Sequence, residues 1–187
     1  DTRVFVTGGG REVNDNRPKK ILFLGRLSPV KRVELFIEAS KFMPKDYEFH
    51  IYGDAPLKDS VYGKQIKEMA GENVFFHPGV PNDATPEIYR AHDVYVNFTP
   101  EGSMDKTVLE AASCGSSVLV SNTSFKNILS DISIISDGAP QSIAKRIVLI
   151  IDQTKDEKEK NQLETRSHVV EKHSLEKLAT MLYNYME

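Results

Sequence analysis

Two stretches of this chain carry residues whose types and spacing could do chemistry. The first, Gly25-Arg26-Leu27-Ser28-Pro29-Val30-Lys31, directly follows the apolar run Ile21-Leu22-Phe23-Leu24. Gly25 permits a tight turn, Pro29 stiffens the loop, and a cation stands near each end. Arg26 and Lys31 can converge on a small dianion, each charge-assisted contact contributing about 1.5–3 kcal/mol. Equally, both can be solvated surface charges. The second stretch runs from Thr99 to Ala111. Ser103 has the chemistry of an N-cap, and Gly102 lets a ligand approach the backbone closely. The amides of Met104, Asp105, Lys106 and Thr107 would then open a helix whose bare N–H groups and partial positive charge suit an anion. Glu110 lies about two turns into that helix and could accept hydrogen bonds from a ligand diol. A capped helix with a solvent-facing Glu110 fits the same residues. Leu109, Ala112 and Gly115 nevertheless suggest a buried helix, where an unpartnered carboxylate is costly.

These residues need elements to hold them. Apolar runs at 21–25, 47–53, 73–77, 93–98, 117–120 and 132–135 read as strands. Helical patterns alternate with them at 31–42, 60–70, 87–91 and 104–114, and further helices follow at 141–153, 156–171 and 174–186. Strands apolar on both faces and separated by helices require a parallel sheet covered on both sides, joined by right-handed crossovers. The expected fold is α/β, a Rossmann-like doubly wound parallel sheet of about six strands. Such sheets bind ligands at the carboxyl ends of their strands, where both stretches fall. Residues 1–20, with Gly8, Gly9 and Gly10 and a polar run, read as a linker, and 21–187 as the domain.

Composition narrows the class. At 187 residues with a net charge of −3, the chain can bury a core and lacks the dense Lys/Arg cluster of a nucleic-acid-binding surface. The lone Cys114 excludes an internal disulfide and suits a reducing compartment. No apolar run reaches the roughly 18 residues of a spanning helix and no signal peptide opens the chain, so a soluble, cytoplasmic protein is expected. His77 and His92, at strand ends, read as structural, and Cys114 as a buried, inert thiol. Asn122-Thr123-Ser124 is a formal glycosylation sequon without other signs of secretion. The charges at 155–160 read as a solvated helix face, and Val169, Val170, Leu175, Leu178, Leu182 and Tyr185 as core-facing.

Taken in order, the motifs resemble the C-terminal domain of family-4 retaining glycosyltransferases, which is one half of a GT-B fold. The resemblance rests on Gly25, Arg26, Pro29 and Lys31; on Gly53-Asp54-Ala55-Pro56; and on Phe76-His77-Pro78-Gly79-Val80. It continues through Tyr89-Arg90-Ala91-His92-Asp93-Val94, Leu109-Glu110-Ala111-Ala112-Ser113-Cys114-Gly115 and His173-Ser174-Leu175-Glu176. It implies a nucleotide-diphosphate sugar as donor, bound without a metal or other cofactor. Arg26 and Lys31 would clamp its diphosphate with help from the amides of Met104–Thr107, Glu110 would hold the ribose, and the backbone near Val80 would touch the base. Asp1-Thr2-Arg3-Val4-Phe5 resembles the tail of the family's inter-domain linker. A glycan or lipid-linked acceptor would therefore bind a missing N-terminal domain, and this chain alone would turn over poorly. The resemblance also allows peripheral membrane association of the full-length protein and a role in polysaccharide biosynthesis.

The chain departs from the family at two places. Gly102 stands eight positions before Glu110, where the family has a glutamate that contacts the donor sugar. Glu101 is one position off, and Asp105 could substitute if aimed inward. The family's Gly-Gly and following Glu are missing from 121–127. Three alternatives therefore stay open: a non-catalytic nucleotide-sugar-binding domain, a GT-B sugar-nucleotide epimerase, and a nicotinamide dehydrogenase. The last should show Gly-x-Gly-x-x-Gly, which the first loop lacks, although Asp54 does follow the second strand.

Overall fold

A computed structural model describes residues 2–8 and 17–186; Gly9, Gly10 and the polar run at 11–16 lie outside the described residues. Five strands, β1 (Lys19–Leu24), β2 (Tyr47–Tyr52), β3 (Val74–His77), β4 (Val94–Asn97) and β5 (Ser117–Val120), form one sheet in the order β3-β2-β1-β4-β5. Every pairing is parallel. β1 starts two residues earlier than the apolar run indicates, because Lys19 and Lys20 continue the ladder opposite Tyr47 and Glu48. The sixth strand expected at 132–135 is reduced to one parallel bridge between Ile134 and Val120, since Asp131–Ser133 coils into a 3-10 turn.

Alternation of side chains along the strands explains the two layers. Ile21, Phe23, Phe49, Ile51, Val94 and Val96 face α1 (Val33–Ser40), α2 (Ser60–Met69) and α5 (Pro140–Ile151). Leu22, Tyr95, Val118 and Val120 face the other way, toward α3 (Thr85–Ala91), α4 (Lys106–Ser113) and α6 (Lys155–His173). Both faces are buried, as a doubly wound sheet demands.

Two helices begin later than their apolar patterns suggest, and both delays shape the carboxyl edge of the sheet. Pro29–Lys31 forms a separate 3-10 turn, and Arg32, left-handed at φ 52° and ψ 45°, separates it from α1. α4 starts at Lys106 rather than Met104, because Asp105 and not Ser103 supplies the cap.

At the other end, α7 (Leu175–Met186) buries none of its residues. Of the six side chains expected to face the core there, only Val169 does; Val170, Leu175, Leu178, Leu182 and Tyr185 are exposed. Phe5 is buried against Tyr89, and its carbonyl accepts from Arg166 at 3.0 Å, so that part of the expected linker packs on the α3 and α6 layer.

Candidate functional site

The sheet order reverses direction between β1 and β4, so their following loops emerge side by side. A crevice opens at such a switch point in any doubly wound sheet. The loops after β3, β2 and β1 are laced together beside it. Gly25 donates its amide to the carbonyl of Tyr52 at 3.0 Å, Leu27 to that of Asp54 at 3.0 Å, and Gly53 to that of His77 at 3.2 Å. The amide of Gly79 donates to Asp54 Oδ2 at 2.9 Å. At about 4.8 Å per strand, the edge from the loop after β3 to the loop after β4 spans about 14 Å.

Lys31 crosses the crevice. Its ammonium pairs with Asp105 and lies 3.3 Å from Thr99 Oγ1. Asp105 also accepts from Asn97 Nδ2 at 2.9 Å, Thr99 Oγ1 at 3.2 Å, and Thr107 through its hydroxyl at 3.0 Å and its amide at 3.4 Å. Burial opposes ionisation of Asp105, but the donors from Lys31, Asn97 and Thr107 outweigh it and hold the carboxyl below its usual range. Arg26 is exposed and makes no ion pair among the described residues. The two cations therefore differ: one is already partnered, the other projects from the loop.

The amides of the second stretch divide in the same way. That of Thr107 is taken by Asp105, while those of Met104, Asp105 and Lys106 meet no acceptor among the described residues. Ser103, expected to cap α4, is exposed, and its carbonyl accepts from Asn122 Nδ2 at 2.7 Å. Gly102 takes φ 90°, and a β-carbon built there would meet nothing within 4 Å. Glu101, one residue earlier, accepts from the hydroxyl of Thr123.

Glu110 is half-buried and aimed by two donors: Tyr89 Oη at 3.1 Å and Asn82 Nδ2 at 3.4 Å. Asn82 lies two residues beyond Val80, itself half-buried in the loop after β3, so the structure brings Glu110 and the Val80 loop to one end of the crevice. Lys31 and the open amides occupy the other. A second cleft of about 210 Å³ lies on the α5 side of β4 and is lined by Arg32, Glu101, Ser121 and Asp137 among others.

Several of these residues carry no role in the sequence reading. Asn97 has a signal, being a polar side chain in a run otherwise apolar from Val94 to Phe98, and Thr99 directly follows that run. Tyr89, Asn82 and Asn122 have none, because their partners are 19 to 28 positions away in the chain. Among the described residues, no group of three or more His, Cys, Asp or Glu side chains could hold a metal ion, and no helix is long and apolar enough to cross a membrane.

The sheet order defines the chain as a Rossmann-like domain, the architecture of one half of a GT-B glycosyltransferase. The chain belongs to the family described as Glycosyl transferases group 1, which matches residues 18–153. It is 26% identical over 150 residues to an uncharacterized glycosyltransferase of Methanocaldococcus jannaschii, covering 71% of this chain and 36% of that one. Its fold is similar to that of HepE from Anabaena, solved in complex with UDP and glucose, with a TM-score of 0.83 at 16% identity. That match covers 100% of this chain and 54% of HepE. It is also similar to the C-terminal domain of the group 1 glycosyltransferase LpcC from Francisella tularensis, with a TM-score of 0.73 at 20% identity over 94% of this chain and 98% of that one. The chain thus spans about a third to a half of the length of the first two.

Proposed function

We propose that this chain is the donor-binding domain of a metal-independent, retaining glycosyltransferase that moves a glycosyl group from a nucleoside-diphosphate sugar to a glycan or lipid-linked acceptor. What supports this most is that Lys31 and the open amides of Met104–Lys106 converge across the switch point between β1 and β4. The leaving diphosphate carries the charge that develops in the transition state, and preorganised cations and amides stabilise it without an ion. In this reading Lys31 and the amides hold one phosphate, and Arg26 closes over the other from the loop. Glu110 holds the ribose hydroxyls, oriented by Tyr89 and Asn82, and the backbone at Val80 packs on the base. The UDP bound by HepE is in keeping with such a donor. The acceptor would bind a second domain, so this chain alone binds donor without turnover.

The rival readings meet the same residues. A dehydrogenase would need Asp54 for a ribose diol, yet one of its oxygens already accepts from the amide of Gly79. A non-catalytic nucleotide-sugar-binding domain draws support from Gly102, whose place the family fills with a sugar-contacting glutamate, and from Glu101, which accepts from Thr123 instead.

A thermal-shift screen of the chain against UDP-, GDP- and ADP-sugars, with and without EDTA, tests the proposal. A ligand at a hundredfold excess over its Kd stabilises by about 2.7 kcal/mol. We expect one base to stand out, unaffected by EDTA. Stabilisation by NAD and by none of these donors would overturn the proposal.

A further inference from the structure

We propose that Asp105 is the positioning residue for Lys31, holding its ammonium where the donor's diphosphate arrives; this rests on the nucleotide-sugar reading above. A lysine side chain is long and flexible, and a mobile ammonium must lose that freedom when it binds. Lys31 has lost it already. Its ammonium bonds Asp105 and Thr99, and of the three N–H donors an ammonium carries, two are thereby assigned and one is left for a ligand.

The carboxylate that holds it is itself fixed from three elements. Asn97 at the end of β4, Thr99 in the loop and Thr107 in α4 all donate to it. Asn97 is held in turn, accepting from the amide of Thr99 at 3.0 Å and donating to Tyr95 Oη at 3.1 Å. Tyr95 donates to the hydroxyl of Thr107 at 2.6 Å. Tyr95, Asn97 and Thr99 are 1%, 3% and 3% exposed, so the network lies inside the domain rather than on its surface. With its oxygens satisfied by protein donors, Asp105 is poorly placed to accept from a sugar hydroxyl. Its free influence on a ligand runs through Lys31.

Two opposite effects of Asp105 on diphosphate binding can be imagined. Its negative charge repels phosphate, whereas its hold on Lys31 preorganises a cation. Five hydrogen bonds from Lys31, Asn97, Thr99 and Thr107 offset the charge, so positioning dominates.

Asp105→Asn tests this, because asparagine caps a helix about as well as aspartate while removing the charge that holds Lys31. Calorimetric titration of the folded chain with UDP, GDP and ADP is expected to show affinity for the preferred diphosphate falling about tenfold or more, as in Lys31→Ala. The double variant should fall no further than Lys31→Ala alone, and binding of the matching nucleoside, followed by NMR, should not change. Thr99→Val, which keeps the Asp105 carboxylate but removes one Lys31 contact and one donor to Asp105, should weaken the diphosphate in the same direction by less, and it decides the matter if Asp105→Asn melts. Wild-type-like or tighter binding by Asp105→Asn, or losses that add in the double variant, would overturn the inference and leave the donor reading standing. A wild-type chain that binds none of the three diphosphates would overturn both.

Discussion

The hydroxyl of Tyr89 donates to Glu110 Oε2 at 3.1 Å, from a side chain only 1% exposed. This bond joins α3 to α4 and, with that from Asn82, fixes the carboxylate. Burial, then the neighbouring Tyr95 and Glu110, hold the Tyr89 hydroxyl well above its usual pKa, so it stays a donor throughout the working range. Tyr89→Phe keeps the packing and loses only that donor. Affinity for the preferred nucleoside diphosphate should fall about two- to tenfold by calorimetry, the worth of one hydrogen bond. Glu110→Ala should cost more. Unchanged affinity in both would remove Glu110 from the ribose.

Gly53 tests how tightly the loops are laced. It adopts φ 150°, and a β-carbon there would stand 1.9 Å from the carbonyl oxygen of Gly25. Gly53→Ala must therefore push the first loop away from the second, lowering stability by about 1–3 kcal/mol in urea denaturation. Gly102→Ala has open space but a left-handed φ of 90°, so it should cost about 1–2 kcal/mol through backbone conformation alone. No loss at Gly53 would mean the Gly25–Gly53 approach relaxes freely.

A chain of polar side chains on one face of β2 and β3 sets a pH dependence. His50 Nδ1 lies 2.9 Å from His77 Nε2, and His50 Nε2 lies 3.2 Å from Glu48 Oε2. Lys20, Tyr52, Phe75 and His92 surround the pair. Burial lowers the pKa of His50 against the opposing bond to Glu48, and burial followed by the charges of His50 and Lys20 lowers that of His77. Both folded values thus lie below the unfolded one of about 6.5, and the unfolded chain binds more protons between them. That contribution to stability is full above the unfolded value and is lost as pH falls through the folded ones. Urea midpoints should drop between pH 7 and 5, and His50→Gln with His77→Gln should flatten the slope. An unchanged slope would assign the effect to other groups.

Cys114 closes α4, and its thiol, 4% exposed, is pushed up to about 11 by burial. It should resist a thiol reagent at pH 8 in the folded chain and react on addition of denaturant. Rapid labelling under native conditions would show that the end of α4 opens.

Five strands and their parallel, doubly wound arrangement are legible because buried parallel strands announce themselves as short apolar runs, and the loops of the site follow them directly. What the sequence conceals is which polar groups meet. Ser103 and Asp105 are both good caps by type. Only the packed Asn97 and Thr99 decide that Asp105 turns back to cap α4 while Ser103 faces solvent. Arg26 and Lys31 look equivalent in the loop, yet the N-cap of α4 gives one of them a carboxylate. The apolar face of α7 shows the converse limit, since periodicity identifies an amphipathic helix without saying what covers it.

The most direct measurement is a crystal structure of this chain with the nucleoside diphosphate that stabilises it most. The account predicts a phosphate within hydrogen-bond distance of Lys31 Nζ and the amides of Met104–Lys106, with the ribose hydroxyls on Glu110. A diphosphate found instead in the cleft between Arg32 and Asp137, with Lys31 and Glu110 untouched, would contradict it.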